Sequence, residues 1–185
     1  MRPTVCPVWI GHLLASPLRK LVQNPRKILT PYVRPGMKVM DIGSGMGFFS
    51  LPMAQLVGTE GYVVCVDLQP GMLEGLRRRA RRAGLAGRIE TRACQADSLG
   101  LEEFAGQMDF VLVFAVVHET SDPRRFLNEV AGVLKSGGRL LLAEPKGHVS
   151  KAEFQVTVQH AVRTGLRIAD SPRIWTTHAV LLEGN

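Results

Sequence analysis

Val39-Met40-Asp41-Ile42-Gly43-Ser44-Gly45-Met46-Gly47 is the stretch that decides how this 185-residue chain folds. Apolar residues lead into an acid, glycines follow at 43, 45 and 47, and Phe48-Phe49-Ser50-Leu51 then reads as a helix start. A strand that turns sharply into a helix needs residues that accept unusual backbone angles and let a ligand approach the main chain. Glycine meets both needs. The pattern departs from the dinucleotide fingerprint G-x-G-x-x-G, because the third glycine comes one residue early and Phe48 stands at the expected sixth position. A diphosphate gains from a bare helix N-terminus, whereas Asp41 would repel it. The acid suits a ligand that carries an ammonium and a sulfonium.

Outward from that loop, strand and helix signals alternate. Apolar, β-rich runs occur at 37–42, 62–67, 88–93, 108–115 and 138–144, with helices predicted at 47–57, 71–84, 122–135 and 151–165. Near-continuous runs such as Phe110-Val111-Leu112-Val113-Phe114-Ala115-Val116-Val117 suit strands buried on both faces. Such alternation implies right-handed strand-helix-strand units in a doubly wound α/β sheet. Asp122-Pro123 reads as an N-cap followed by proline at the first helical position, and Ser136-Gly137-Gly138 ends that helix. Residues 166–174 and 175–183 read as two strands whose short connection favours antiparallel pairing. Ser16-Pro17 and Asn24-Pro25 predict short helices near 17–22 and 25–32. The length suits one domain, 1–185, in which a helical extension (1–35) precedes an α/β core (36–185).

Hydrophobic content of 45% with 21% charged residues is ordinary for a soluble globular protein. No apolar run approaches the roughly 18 residues needed to span a bilayer. Val8-Trp9-Ile10-Gly11-His12-Leu13-Leu14-Ala15 contains a histidine, follows Pro7 and lacks a small-residue cleavage site, so export is not expected and the cytoplasm is. Cys6, Cys65 and Cys94 are odd in number and widely spaced, which argues against a disulfide framework and structural zinc. The net charge of +7 comes partly from Arg77-Arg78-Arg79-Ala80-Arg81-Arg82. On a helix these arginines spread over more than half the circumference, so some flank the buried stripe. They form either a solvated face whose stems cover apolar surface or a contact with RNA or another polyanion. The lack of interleaved aromatics favours the former.

The Asp41–Gly47 pattern resembles motif I of the class I S-adenosylmethionine-dependent methyltransferases. Leu134-Lys135-Ser136-Gly137-Gly138-Arg139-Leu140 is similar to that family's Leu-Lys-Pro-Gly-Gly signature before the fifth strand. The resemblance covers about residues 36–145 and looks closest to the small-molecule branch that includes ubiquinone- and menaquinone-biosynthesis methyltransferases. It implies a Rossmann-like, mostly parallel seven-stranded sheet with an antiparallel C-terminal strand. It also implies S-adenosylmethionine as cofactor, S-adenosylhomocysteine as product, and a small, hydrophobic acceptor methylated at O, C or S.

Ligands of open α/β sheets bind outside the carboxyl ends of the strands, which orders the candidate residues. Asp41, Gly43, Ser44, Gly45 and Gly47 would hold the methionyl end. Asp67, ending Val63-Val64-Cys65-Val66, can accept from both ribose hydroxyls or cap the next helix. Asp97 and Ser98 match the family's adenine-contacting position, although loop composition alone also places such residues there. Leu68 and Met72 would sandwich the adenine or belong to the core, and Phe114 at the fourth strand's end joins the cofactor-binding candidates.

Methyltransferases of nucleobase amines carry Asn/Asp-Pro-Pro-Tyr/Phe after the fourth strand. This chain has Phe114-Ala115-Val116-Val117-His118-Glu119, which counts against a nucleic-acid partner. His118 is the catalytic candidate, since a neutral imidazole can accept a proton from a hydroxyl, thiol or activated carbon. Glu119 or Glu144 would orient it. The alternative is a histidine that only hydrogen-bonds its own loop, and His148 is a second candidate. No metal-ligand spacing appears. Two rival functions stay open, an RNA methyltransferase using the arginine helix and a non-catalytic S-adenosylmethionine-binding module, as does association into a homodimer. A nicotinamide-dependent dehydrogenase is disfavoured by Asp41 and the glycine spacing.

Overall fold

A computed structural model of the protein describes residues 23–185. The helix expected near 17–22, the Val8–Ala15 stretch and Cys6 lie outside them. The chain packs as two compact halves that divide between Cys94 and Gln95.

The first half contains α1 (Pro25–Leu29), β1 (Lys38–Ile42), α2 (Ser50–Leu56), β2 (Tyr62–Asp67), α3 (Pro70–Arg82) and β3 (Ile89–Ala93). Asn24 caps α1 as expected, its side chain accepting from the Lys27 amide at 3.1 Å. The three strands lie in the order β3-β2-β1 and run parallel, with Asp41 level with Cys65 and Asp67 level with Ala93. Val39, Met40, Val63, Val64, Cys65 and Val66 have no exposed surface, as strands covered on both faces require. Met72, Leu73, Leu76 and Ala80 form the buried stripe of α3 at helical spacing.

The second half contains β4 (Met108–Phe114), α4 (Pro123–Val133), β5 (Leu134–Pro145), α5 (Lys151–Arg163), β6 (Arg167–Asp170) and β7 (Thr177–Glu183). Its strands lie in the order β4-β5-β7-β6. β4 and β5 are parallel, while β7 runs antiparallel to both β5 and β6. One sheet thus holds seven strands, mostly parallel, with the antiparallel C-terminal strand expected. No helix among the described residues is long and apolar enough to cross a membrane.

The boundaries differ from expectation where glycine chemistry overrides the apolar pattern. The helix predicted from residue 47 begins at Ser50, because Gly45 and Gly47 hold φ of +51° and +84° and residues 45–49 form turns. The strand expected from 138 is already paired at Leu134. Its register then jumps from Met108–Leu134 to Phe110–Arg139, so Lys135–Gly138 bulge out of the ladder. The two tail strands are shorter than predicted, leaving 171–176 outside both.

The Asp122 side chain accepts from the amides of Arg124 (3.0 Å) and Arg125 (3.1 Å), and Pro123 opens α4. Replacing Asp122 by Ala should therefore cost about 1 kcal/mol of stability. The measurement is a lower urea midpoint at unchanged slope. An unmoved midpoint would show that α4 starts there for packing reasons alone.

Candidate active site

In the first half the ends of β1 and β2 are tied into one cradle. The Val66 carbonyl accepts from the amides of Gly43 (2.8 Å) and Ser44 (3.0 Å), which bends the chain after Ile42 over the end of β2. The Gly45 amide donates to Asp67 Oδ2 at 2.8 Å, and the Gln69 amide donates to Asp67 Oδ1 at 2.9 Å. Asp67 therefore both locks the glycine loop and steadies the start of α3, and each oxygen keeps acceptor capacity for a further donor. Burial raises the Asp67 pKa, and the amides of Gln69 and Gly45 pull it back down. Asp41 is 2% exposed, and Ser50 Oγ, the first residue of α2, donates to its Oδ2 at 2.5 Å.

Three glycines here have positive φ, and two show what each kind of position is for. An added Cβ at Gly47 would stand 3.1 Å from Leu76 Cγ, so this glycine serves packing. At Gly45 no atom of the described residues lies within 4 Å of such a Cβ, so among them the loop is open on that side. Ser44 is 6% exposed, and its buried hydroxyl has no hydrogen-bond partner among the described residues. A buried hydroxyl without a partner is costly unless a ligand supplies one. An orphaned hydroxyl, an open glycine face and two flanking carboxylates fit a cofactor bearing an amino acid and a ribose. Leu68 is half-buried after β2, while Met72, 4% exposed, lies in the buried stripe of α3.

Other features of this half bear on the sequence expectations. Burial, then the charge of Asp41, raises the Cys65 thiol pKa well above its ordinary value, which leaves it an unreactive apolar filler. The arginine block is engaged within the fold more than its sequence suggests. Arg77, Arg78 and Arg81 surround Glu74 at 3.0–3.7 Å, and Arg79 Nη1 donates to the Met46 carbonyl in the glycine loop.

In the second half the chain turns after β4 through Ala115, whose φ of +60° is unusual for a residue with a side chain. Glu144, 1% exposed at the end of β5, fixes this turn. Its Oε1 accepts from the amides of Val116 (3.2 Å) and Val117 (2.7 Å), and its Oε2 pairs with His118 Nδ1. Of the two acids suggested to orient His118, Glu144 pairs with it directly, and the charge of Glu119 acts on it as well. The hydrogen bond from Glu144 raises the His118 pKa above its ordinary value of 6.5. Partial burial opposes the rise, and the charges of Glu144 and Glu119 add to it. With Nδ1–H committed to the carboxylate, Nε2 is the nitrogen that accepts a proton. The His148 ring lies edge-on to His118 with centroids 5.5 Å apart. Phe114, 7% exposed, closes β4 just before the turn.

Asp97 and Ser98 lie in the loop that opens the second half. Asp97 is exposed and Ser98 half-buried. Ser98 Oγ is 3.4 Å from Glu129 Oε2, which also accepts from the Leu99 amide at 2.6 Å. With Thr120, Asp122 and Phe126 these residues border an open cleft. Sequence reasoning missed Glu129 as the acid that shapes this loop, because it lies a full helix away in the chain. Among the described residues no cluster of His, Cys, Asp and Glu could hold a metal ion.

Residues 34–178 match the family model described as a methyltransferase domain. The chain is 35% identical over 112 residues to the ubiquinone/menaquinone biosynthesis C-methyltransferase UbiE of Haemophilus ducreyi, covering 60% of this chain and 42% of that protein. It is also 35% identical over 124 residues to the same-named protein of Idiomarina loihiensis, covering 67% and 49%. The chain thus spans less than half the length of these curated relatives. In fold it is similar to the crystal structure of a SAM-dependent methyltransferase from Aquifex aeolicus, with a TM-score of 0.83, 22% identity and coverage of 96% and 98%. With the methyltransferase domain matched over most of its length and the sheet of that fold, the chain belongs to the class I S-adenosylmethionine-dependent methyltransferase family.

Proposed function

We propose that the chain transfers a methyl group from S-adenosylmethionine to an oxygen, carbon or sulfur of a small, hydrophobic acceptor. The observation that carries this reading is the His118–Glu144 pair, standing where enzymes that methylate nucleobase amines carry Asn/Asp-Pro-Pro-Tyr/Phe. A histidine oriented by a buried carboxylate takes protons from hydroxyl, thiol or activated carbon groups. The curated relatives, named for C-methylation in ubiquinone and menaquinone biosynthesis, support carbon as the acceptor atom.

Asp41 and the Gly43–Gly47 loop hold the methionyl end in this reading, with Ser44 Oγ as a hydrogen-bonding group. Asp67 accepts from the ribose hydroxyls with the lone pairs that Gly45 and Gln69 leave available. Asp97 and Ser98 receive the adenine, and His118 removes the acceptor's proton through Nε2. When bound, the cofactor supplies a methyl on a sulfonium, already a good electrophile, and leaves as S-adenosylhomocysteine. Much of the remaining rate enhancement is positional, and in-line alignment of two held reactants is worth up to roughly 7–11 kcal/mol.

Calorimetric titration with S-adenosylmethionine, S-adenosylhomocysteine and NAD tests the cofactor, with binding of the first two and none of the third expected. Asp67→Ala should weaken both by at least about tenfold, since hydrogen bonds to a charged acceptor are worth roughly 1.5–3 kcal/mol. Parent-like affinity would remove Asp67 from the site.

His118→Ala should lower turnover by about 100-fold or more while leaving cofactor affinity unchanged. Absence of turnover in the parent with any acceptor, despite tight cofactor binding, would instead indicate a binding module. The pH profile of kcat/KM carries a signed test. A base must be neutral to act, and the His118 pKa lies above 6.5, so activity should rise with pH through a midpoint above 6.5. Glu144→Gln, which keeps an acceptor for the Val116 and Val117 amides but removes the charge, should move that midpoint down. A midpoint indifferent to Glu144 would separate His118 from the titrating group.

A further inference from the structure

Five arginines on α3 look alike in the sequence, yet one of them is built into the glycine loop. Arg79 Nη1 donates to the Met46 carbonyl, a residue far from it in the chain. The contact is backed by packing on the same face of α3. The Met46 side chain, 4% exposed, lies against Gly75, where an added Cβ would stand 3.0 Å from Met46 Cγ and 3.2 Å from its Sδ. The next residue, Leu76, approaches Gly47 just as closely, at 3.1 Å from an added Cβ. Positions 75, 76 and 79 share one face of a helix, so α3 presents a notch, a ridge and a guanidinium to Met46–Gly47. Arg79 is half-buried, and burial lowers its pKa. A guanidinium is placed in such a position at a cost, and the carbonyl offsets it.

We propose that Arg79 is a positioning residue for the cofactor, holding the Met46–Gly47 peptide so that the loop keeps the shape that receives S-adenosylmethionine. The inference rests on the reading that the Asp41–Gly47 loop binds this cofactor. A loop with three glycines loses more backbone freedom on ordering than one without them. Asp67 and the Val66 carbonyl hold its first part, up to Gly45. Beyond Gly45, Arg79 supplies a hydrogen bond from the helix side. Its action is on cofactor affinity and not on the transfer step.

The test compares Arg79→Ala with Arg78→Ala, which removes the same charge from the same helix without touching the loop. For each, affinity for S-adenosylmethionine and S-adenosylhomocysteine is measured by calorimetry, and kcat, KM and Tm are recorded. Arg79→Ala should weaken both ligands by about tenfold and raise KM in step, with kcat at saturating cofactor unchanged. Arg78→Ala should match the parent. Guanidinium ion, added well below denaturing concentration, should restore part of the affinity of Arg79→Ala. Equal losses in the two variants, or a fall in kcat with KM unmoved, would overturn the proposal. If Arg79→Ala does not fold, Arg79→Gln reads the same loss, and parent-like affinity there overturns it equally. A parent protein that binds neither ligand would instead bring down the loop reading itself, before any variant is compared.

Discussion

The amide of Gly45 donates to the carboxylate of Asp67, and through that bond the end of β2 becomes part of the loop after β1. The constraint behind it is geometric. Two adjacent parallel strands end side by side, and the first must turn away into a helix without leaving its amides bare in a buried place. The Val66 carbonyl takes two of those amides and Asp67 a third. What is left unsatisfied is the Ser44 hydroxyl, on a loop whose Gly45 face is open. The loop thus has the amides of Gly43, Ser44, Gly45 and Gly47 satisfied within the fold while the Ser44 hydroxyl has no partner among the described residues.

The second half repeats this logic with a different acid. Ala115 occupies a left-handed conformation that costs a residue with a side chain roughly 1–2 kcal/mol. The strain persists because Glu144 accepts from both amides that follow and then pairs with His118. The same carboxylate that shapes the turn therefore sets the histidine's tautomer. One oxygen holds the turn and the other meets the histidine, so a single side chain couples the two. A histidine that only satisfies its loop and one that takes a proton would therefore share the same carboxylate partner.

Legibility followed chain distance. The glycine loop, the Asp122-Pro123 cap and the antiparallel tail were readable because each is a local signal with a local cause. The helix after the loop was misplaced by three residues, since an apolar pattern cannot show that Gly45 and Gly47 still hold positive φ. The bulge at Lys135–Gly138 was hidden for the same reason. The sequence singles out His118 as a candidate but leaves its partner open between Glu119, its neighbour in the chain, and Glu144, its neighbour in space. Ser150 and Glu153 form a reciprocal capping box at the start of α5 that the pattern Ser-x-x-Glu would have revealed. Arg79 was not separable from its four neighbours by any sequence argument, because the helical period says which residues share a face but not which loop that face meets.

The raised pKa of His118 carries a tension of its own. A stronger base takes a proton more readily from a weakly acidic group, yet a smaller fraction of it is neutral at pH 7. Glu144 shifts the balance toward strength, and partial burial opposes the shift. Such a compromise suits an acceptor whose proton is held more firmly than water at neutral pH will release, but which becomes acidic as its methyl arrives. An acceptor already ionised in solution would have no use for it, and a histidine with no carboxylate behind it would serve there equally well. With His118 as the proposed base, the buried carboxylate behind it favours an acceptor whose reactive atom carries a proton when it binds.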